Sequence, residues 1–294
     1  MRKMKGSGNY LKNQVRKNLA KAAACLLLFL FIFSLSSLEA ILNFSFGILE
    51  AIGFVFSLVL LAGFYYFLHQ YKIYSGGWEG EKEVVKLLGN KLSDNYLLLN
   101  DLYLRGGGGD IDHIILAPSG VFVLETKNWN GEITCNGDEW RRRGRGNYKG
   151  SPSRQVKRNV ATIRRIIESV PTLRSLGVWV EGIVVFTNNH STLHLNNPTV
   201  MIVKLAQLPS HITSHQSQAN YSSSQLEAIG EEILNQKRSW LLWLAHGGVI
   251  FSQSFLATKV KEVMLVIRKV AMIIKFDMVT EPCAIEEAKI VKKT

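Results

Sequence analysis

Gly109-Asp110-Ile111-Asp112-His113-Ile114-Ile115-Leu116-Ala117-Pro118-Ser119-Gly120-Val121-Phe122-Val123-Leu124-Glu125-Thr126-Lys127 is the stretch that decides the fold of this 294-residue chain. It holds two apolar runs of strand length, separated by Pro-Ser-Gly, residues that turn a chain. Strand side chains alternate between two faces. Val121, Val123, Glu125 and Lys127 therefore share one side, and Phe122, Leu124 and Thr126 the other. On the preceding strand Asp110 and Asp112 share a side. With a two-residue loop, Pro118-Ser119, Ala117 pairs with Gly120. Counting outward then sets Asp112 opposite Glu125, their Cβ atoms roughly 4.5–5.5 Å apart. A three-residue loop with a bulge at Gly120 would shift that register. Two carboxylates so close repel unless a cation lies between them. A hard divalent ion with oxygen ligands resolves the repulsion.

Outward from this hairpin, residues 78–92 show helical apolar spacing with Glu79, Glu81 and Glu83 in the first turns, where the helix dipole favours acids. Residues 96–104 read as a strand, the glycine run 106–109 as a loop, and residues 131–135 as a short strand. Residues 152–170 form a basic helix burying Val156, Val160, Ile163, Ile166 and Ile167. Residues 178–187 are an apolar strand, and 199–203 one more. The order αβββαβ predicts an α/β fold, a mixed sheet flanked by helices.

The formal charge of +12 is concentrated. Residues 1–21 carry +7 without an acid and residues 141–174 carry +10, leaving −5 for everything else. The first block abuts two uncharged apolar runs, 22–38 and 51–68. Each approaches the ~20 residues that cross a hydrocarbon core. They predict a two-helix transmembrane hairpin over 22–71, turned by Glu39, Asn43 and Glu50. The Lys/Arg excess sets both ends in the cytoplasm, and a lipid bilayer is the expected partner. A buried core hairpin and a signal peptide ending near Ser34 or Ser36 are the competing readings. Three scattered cysteines, Cys25, Cys135 and Cys283, exclude a disulfide framework and a thiolate zinc site.

On spacing alone, Glu125 and Lys127 read first as a solvated strand-face ion pair. The surrounding text is more specific. Gly80-Glu81, Gly109-Asp110-Ile111-Asp112-His113, Gly120 through Trp129, Asn130-Gly131-Glu132-Ile133 and Pro152-Ser153-Arg154-Gln155 occur in order. Together they resemble the nuclease-related (NERD) domain of the PD-(D/E)xK, restriction-endonuclease-like superfamily. Ser151 stands where that family often has Asn. The resemblance implies phosphodiester hydrolysis on a restriction-endonuclease-like core. It implies that Asp112 and Glu125 bind Mg²⁺, or Mn²⁺, with the Thr126 carbonyl as a further ligand. Lys127 would orient or help deprotonate the attacking water, Glu81 would reach the metal through water, and Gln155 would hold that water or a phosphate oxygen. Each has a bland counterpart: Glu81 as helix-dipole chemistry, Asp110 as a strand-start residue, Gln155 as plain surface, His113 as a packed histidine.

The +10 block supplies Arg141, Arg142, Arg143 and Arg145 on a loop, and Arg154, Lys157 and Arg158 on the basic helix. Guanidinium groups suit phosphate, so these residues are the expected nucleic-acid contacts, with DNA favoured over RNA. An ordinary basic face or contact with lipid headgroups is the alternative. His190/His194 and His211/His215 read as loop residues without a metal.

The expected organisation is a basic cytoplasmic tail (1–21), the hairpin (22–71), the nuclease-like domain (76–203), and a linker with a C-terminal helical tail (204–294). The linker holds one helix over 224–237. Beyond it, residues 240–258 make a poor third span, and 260–276 an interfacial or packed helix. The function expected is a multi-pass cell-membrane nuclease with a cytoplasmic catalytic domain. Its rival is a non-catalytic nucleic-acid-binding or membrane scaffold that kept the fold.

Overall fold

The computed structural model describes residues 1–4, 10–42, 47–104, 110–143, 146–147, 150–216 and 219–236. The glycine run 106–109, Arg145 and the expected tail segments 240–258 and 260–276 lie outside the described residues.

A six-stranded mixed sheet forms the centre, in the order β1 (Arg2–Lys3), β2 (Leu97–Tyr103), β3 (Asp110–Ala117), β4 (Gly120–Lys127), β8 (Val180–Phe186), β10 (Met201–Lys204). β2, β3 and β4 are antiparallel neighbours, whereas β1, β8 and β10 pair in parallel with theirs. A smaller sheet runs β7 (Gly146–Asn147), β6 (Glu139–Arg142), β5 (Gly131–Asn136), β9 (Ser191–Asn196).

Alternation sorts the core into two layers. Leu97, Leu99, Ile114, Leu116, Val121, Val123, Val180 and Val184 pack with α3 (Pro152–Ser169) and α6 (Ser223–Asn235). Leu98, Ile115, Phe122, Leu124, Ile183 and Val185 pack with Val84 and Leu88 of α2 (Ile48–Lys91) and with Leu208 and Ile212 of α5 (Leu208–Ser214). α3 begins at a Ser151 cap whose side chain accepts from the Arg154 amide, with Pro152 at its first position.

Several elements depart from the sequence reading. The helix expected at 78–92 does not start there. α2 runs 44 residues without interruption from the second apolar segment, a length of about 66 Å. Gly76 and Gly77 lie inside it, although glycine costs a helix interior ~1 kcal/mol relative to alanine. Tertiary contacts hold them: the Asn128 carboxamide donates to Gly76 O at 2.7 Å, and Leu11 lies 3.5 Å from where a Gly77 Cβ would stand. Leu11 belongs to α1 (Tyr10–Leu42), so the basic segment read as a tail is helical from Tyr10, and its first residues form the edge strand β1.

The segment read as a linker also contributes to the core. α6 buries Leu226, Ile229 and Ile233 against β2 and β3. His190 lies in the turn before β9 and His215 caps α5, whereas His194 on β9 and His211 on α5 are not loop residues. Both α5 histidines turn to Glu181, His211 Nε2 at 3.0 Å and His215 Nδ1 at 3.8 Å. β6, β7 and β9 have no counterpart in the sequence reading, because short strands rich in Arg, Asn and Thr lack a clean period-2 pattern.

Among the described residues, two helices are long and apolar enough to cross a membrane, with windows in Tyr10–Leu38 and Ile48–Lys91. Leu27, Phe31, Leu35, Ile52, Val55, Leu58 and Val59 are all exposed on them. Small residues contribute to the contact between the two helices, Ser36 against Gly53 and Cys25 against Gly63, beside the Phe33–Phe54 ring pair at 5.4 Å.

Candidate active site

β4 delivers two of the expected residues, and its register is that of a two-residue hairpin. Ala117 pairs with Gly120, and the ladder continues to His113 opposite Leu124. One step further the same register sets Asp112 opposite Glu125. There the ladder gives way to a side-chain bond: the Thr126 amide donates to Asp112 Oδ2 at 2.6 Å. Asp112 also marks a gap on its other side. β2 pairs with β3 at Asn100–His113 and again at Leu102–Ile111, skipping Asp101. Asp101 has φ of 51°, a left-handed conformation that Asp tolerates better than most residues. Asp101, Asp112 and Glu125 thus stand in a row across three adjacent strands.

Glu81 joins this row from α2. Its neighbour Gly80 lets the helix approach the sheet: a Cβ there would come within 2.7 Å of Thr187 Oγ1 and 3.1 Å of Asn128 Cβ. Glu81 hydrogen-bonds the Asp101 side chain. Lys127 Nζ hydrogen-bonds Glu125 Oε1 and lies 5.9 Å from the Trp129 ring centroid. Trp129, Trp140 and Phe186 pack together beneath it, with centroids 5.7–6.2 Å apart.

The electrostatics follow from this apolar floor. Burial, then the charge of Asp112, pushes Glu125 up to about 8. Burial followed by Asp112 and Asp101 pushes Glu81 up to about 9. Asp112 rises to about 6 through burial, opposed by Lys127 and the Thr126 amide. Burial also raises Asp101. His113 is held neutral, pushed down to about 3 by burial, and its Nδ1 lies 2.9 Å from Asn100 Oδ1.

Such a site stores an excess of carboxylates that a cation would relieve. Glu125 Oε2 is buried and has no hydrogen-bond partner among the described residues, which fits a ligand position. Among those residues no three His, Cys, Asp or Glu side chains form a closed metal cage. Magnesium does not need one, since it binds through one or two carboxylates and several waters. Asp112 and Glu125 are suited to hold it.

The expected basic contacts divide. Gln155 is half-buried in the first turn of α3, and Arg158 is the helix cation whose charge bears on Glu125. Lys157 pairs with Asp138 at 2.6 Å, and Arg154 approaches the same carboxylate at 3.9 Å. Arg143 pairs with Glu132 at 2.9 Å, and Arg142 Nε donates to Asn130 O at 2.8 Å. Arg141 is exposed on β6. The sequence reading missed Asp101. Its signal was a polar pair, Asn100-Asp101, interrupting an otherwise apolar strand.

The family model of the nuclease-related domain matches residues 76–187, a segment that begins on α2 and takes in Glu81, Asp112, Glu125, Lys127 and Gln155. Residues 76–187 are a nuclease-related domain. A place in the PD-(D/E)xK superfamily is consistent with that name. A 60-residue stretch is 42% identical to a Bacillus anthracis protein described as uncharacterized, covering 19% of this chain and 28% of that one. No solved structure matches the chain. The nuclease-related domain is thus continued by α5 and α6 beyond its matched boundary and preceded by the two apolar helices.

Proposed function

We propose that the chain is a membrane-anchored, Mg²⁺-dependent nuclease that hydrolyses phosphodiester bonds of nucleic acid, with DNA preferred, on a restriction-endonuclease-like core. The observation that carries this reading is the opposition of Asp112 to Glu125, with Lys127 on Glu125 and one Glu125 oxygen buried without a partner. When bound, Mg²⁺ supplies Lewis-acid polarisation of the phosphate and an activated water. Mn²⁺ would substitute.

The chain's own groups do the rest. Asp112 is oriented for binding by the Thr126 amide. Lys127, spaced two residues from Glu125, presents an ammonium to the scissile phosphate and offsets charge that builds on it. Glu81, on α2, stands beside the carboxylates, and Gln155 lies one turn before Arg158 on α3; both would position the attacking water. The Trp129, Trp140 and Phe186 floor keeps the local dielectric low, which strengthens each of these interactions. Arg158 draws the nucleic-acid backbone toward the site.

The exposed apolar surfaces of α1 and α2 support insertion of both helices in the cell membrane, a multi-pass anchor. The lysines and arginines of residues 1–21 and the lysines following residue 71 place the domain on the cytoplasmic side.

The test is cleavage of labelled DNA and RNA by the full chain in detergent micelles, with Mg²⁺ or Mn²⁺. Glu125→Ala and Lys127→Ala should each lower the rate at least about 100-fold. Cleavage that survives both substitutions overturns the site. Tight binding without cleavage under either metal supports the scaffold reading instead.

A further inference from the structure

α3 leads away from the carboxylates, and it ends at a cavity that the catalytic reading does not use. Its exposed face carries Arg154, Lys157, Arg158, Arg164 and Arg165. Along α3 from Lys157 to Glu168, the helix, the start of β8 and the segment 199–201 line an open cavity of about 690 Å³. The cavity exists because β10 is short. β8 pairs with β4 along its full length but with β10 only from Ile183 onward, leaving the outer edge of Val180, Glu181 and Gly182 open.

Trp179 lines this cavity and is 49% exposed, unusual for so large an indole at the start of a core strand. The residue is held in place. Its carbonyl accepts from the Val121 amide at 2.8 Å, and its ring stacks on His215 at 5.9 Å with planes 22° apart. Gly120, with φ of 148°, leaves room for it, since a Cβ there would stand 3.0 Å from Trp179 O. Arg164 and Arg165 line the same cavity as Trp179, together with Glu168 and Glu181, and Arg164 Nη2 already donates to Val180 O at 2.9 Å. That bond occupies the carbonyl an added peptide strand would need, so the open edge is ill suited to a peptide. A fixed, half-exposed ring that lines one cavity with guanidinium groups suits an unpaired base and its phosphates.

We infer that the Trp179 cavity binds a single-stranded segment of the substrate, with one base stacked on the indole and the backbone running along α3 from Arg158 to Arg165. The inference rests on the nuclease reading for the direction of the strand. Glu125 pairs with Val184, and the five residues back to Trp179 span about 17 Å of strand. A stacked strand at ~3.4 Å per nucleotide covers that distance in about five nucleotides. The substrate that fills both places is therefore a junction or a flap: chemistry at the carboxylates, an unpaired arm at the tryptophan. A paired base has no free face for Trp179.

The test uses the full chain in detergent micelles, with Ca²⁺ replacing Mg²⁺ so that the strand is held uncut. Anisotropy of labelled single-stranded and duplex oligonucleotides of equal length is compared. Trp179→Ala should weaken single-strand binding about tenfold and leave duplex binding unchanged, while Trp179→Phe restores most of the loss. Arg165→Ala should reduce the salt dependence of single-strand binding by about 0.7 in log–log slope. Equal single-strand affinity for Trp179→Ala and wild type overturns the inference, as does a parallel loss for both substrates that Phe does not restore. A wild-type chain that binds neither substrate overturns the underlying nucleic-acid reading, a result distinct from either.

Discussion

Glu81 of α2 and Asp101 of β2 share a hydrogen bond between their carboxyl groups. Two ionised carboxylates cannot make that bond, so one of the pair holds a proton. The helix is thereby fastened to the sheet at the same place where Asp112 and Glu125 face each other. Chemistry and architecture are coupled there.

Metal affinity should depend on pH. Glu125 is pushed up to about 8 by burial and by Asp112, so at neutral pH a cation must displace a proton to bind it. Calorimetric Mn²⁺ affinity should rise from pH 6 to pH 8 and level off above. Glu125→Gln should weaken binding at least about tenfold and flatten the profile. An affinity indifferent to pH in the wild type would contradict the assignment.

Metal-free stability should fall as pH rises from about 7 to 9. Glu81 and Glu125 titrate near 4.5 when exposed and near 9 and 8 when folded. Through that window the folded chain holds more protons than the unfolded one, so raising pH favours unfolding. His113, pushed down to about 3, acts in the opposite sense, but only below its ordinary value of 6.5, outside this range. Thermal melts in detergent with chelator should show the decline, and Glu81→Gln should reduce it. A midpoint that climbs with pH would refute the argument.

Gly80 should tolerate no side chain unless its neighbour gives way. Gly80→Ala would bring a methyl within 2.7 Å of Thr187 Oγ1, at a cost of about 1–3 kcal/mol. Thr187 Oγ1 is buried without a partner among the described residues, so Thr187→Ala alone should be nearly neutral. The double variant should recover most of the loss, a coupling that denaturant melts can measure.

Amide exchange offers a check on α2. A chain with a linker near Gly76-Gly77 would exchange there within seconds. A continuous helix held by Asn128 and Leu11 should protect those amides as well as its flanks. Rapid exchange confined to residues 74–78 would break the helix in two.

The hairpin was legible because its information is local. Period-2 alternation with a Pro-Ser turn set the register, and the register alone put Asp112 opposite Glu125. Local pattern also located α3, β8 and the apolar helices. What stayed hidden depends on contacts distant in sequence. Gly76-Gly77 reads as a boundary until Asn128, some fifty residues later, is seen to bind Gly76. Asp101 reads as an irregularity in a strand until Glu81 is seen beside it. The segment after residue 204 reads as a polar linker with one helix over 224–237, and that this helix, α6, belongs to the core shows only once the sheet supplies a face to cover. The acidic partners of Arg143, Arg154 and Lys157, Glu132 and Asp138, likewise come from other elements.

In the proposed membrane setting, the uninterrupted α2 fixes where the carboxylates stand. Thirteen residues separate Leu68, where the apolar run ends, from Glu81, a helical rise of about 20 Å. A flexible tether would let the catalytic centre sweep a hemisphere and reach anything nearby. A stiff mast holds it at one height above the bilayer and in one orientation, so molecules are selected by altitude before they are selected by chemistry. Only a nucleic acid brought close to the membrane surface would come within reach.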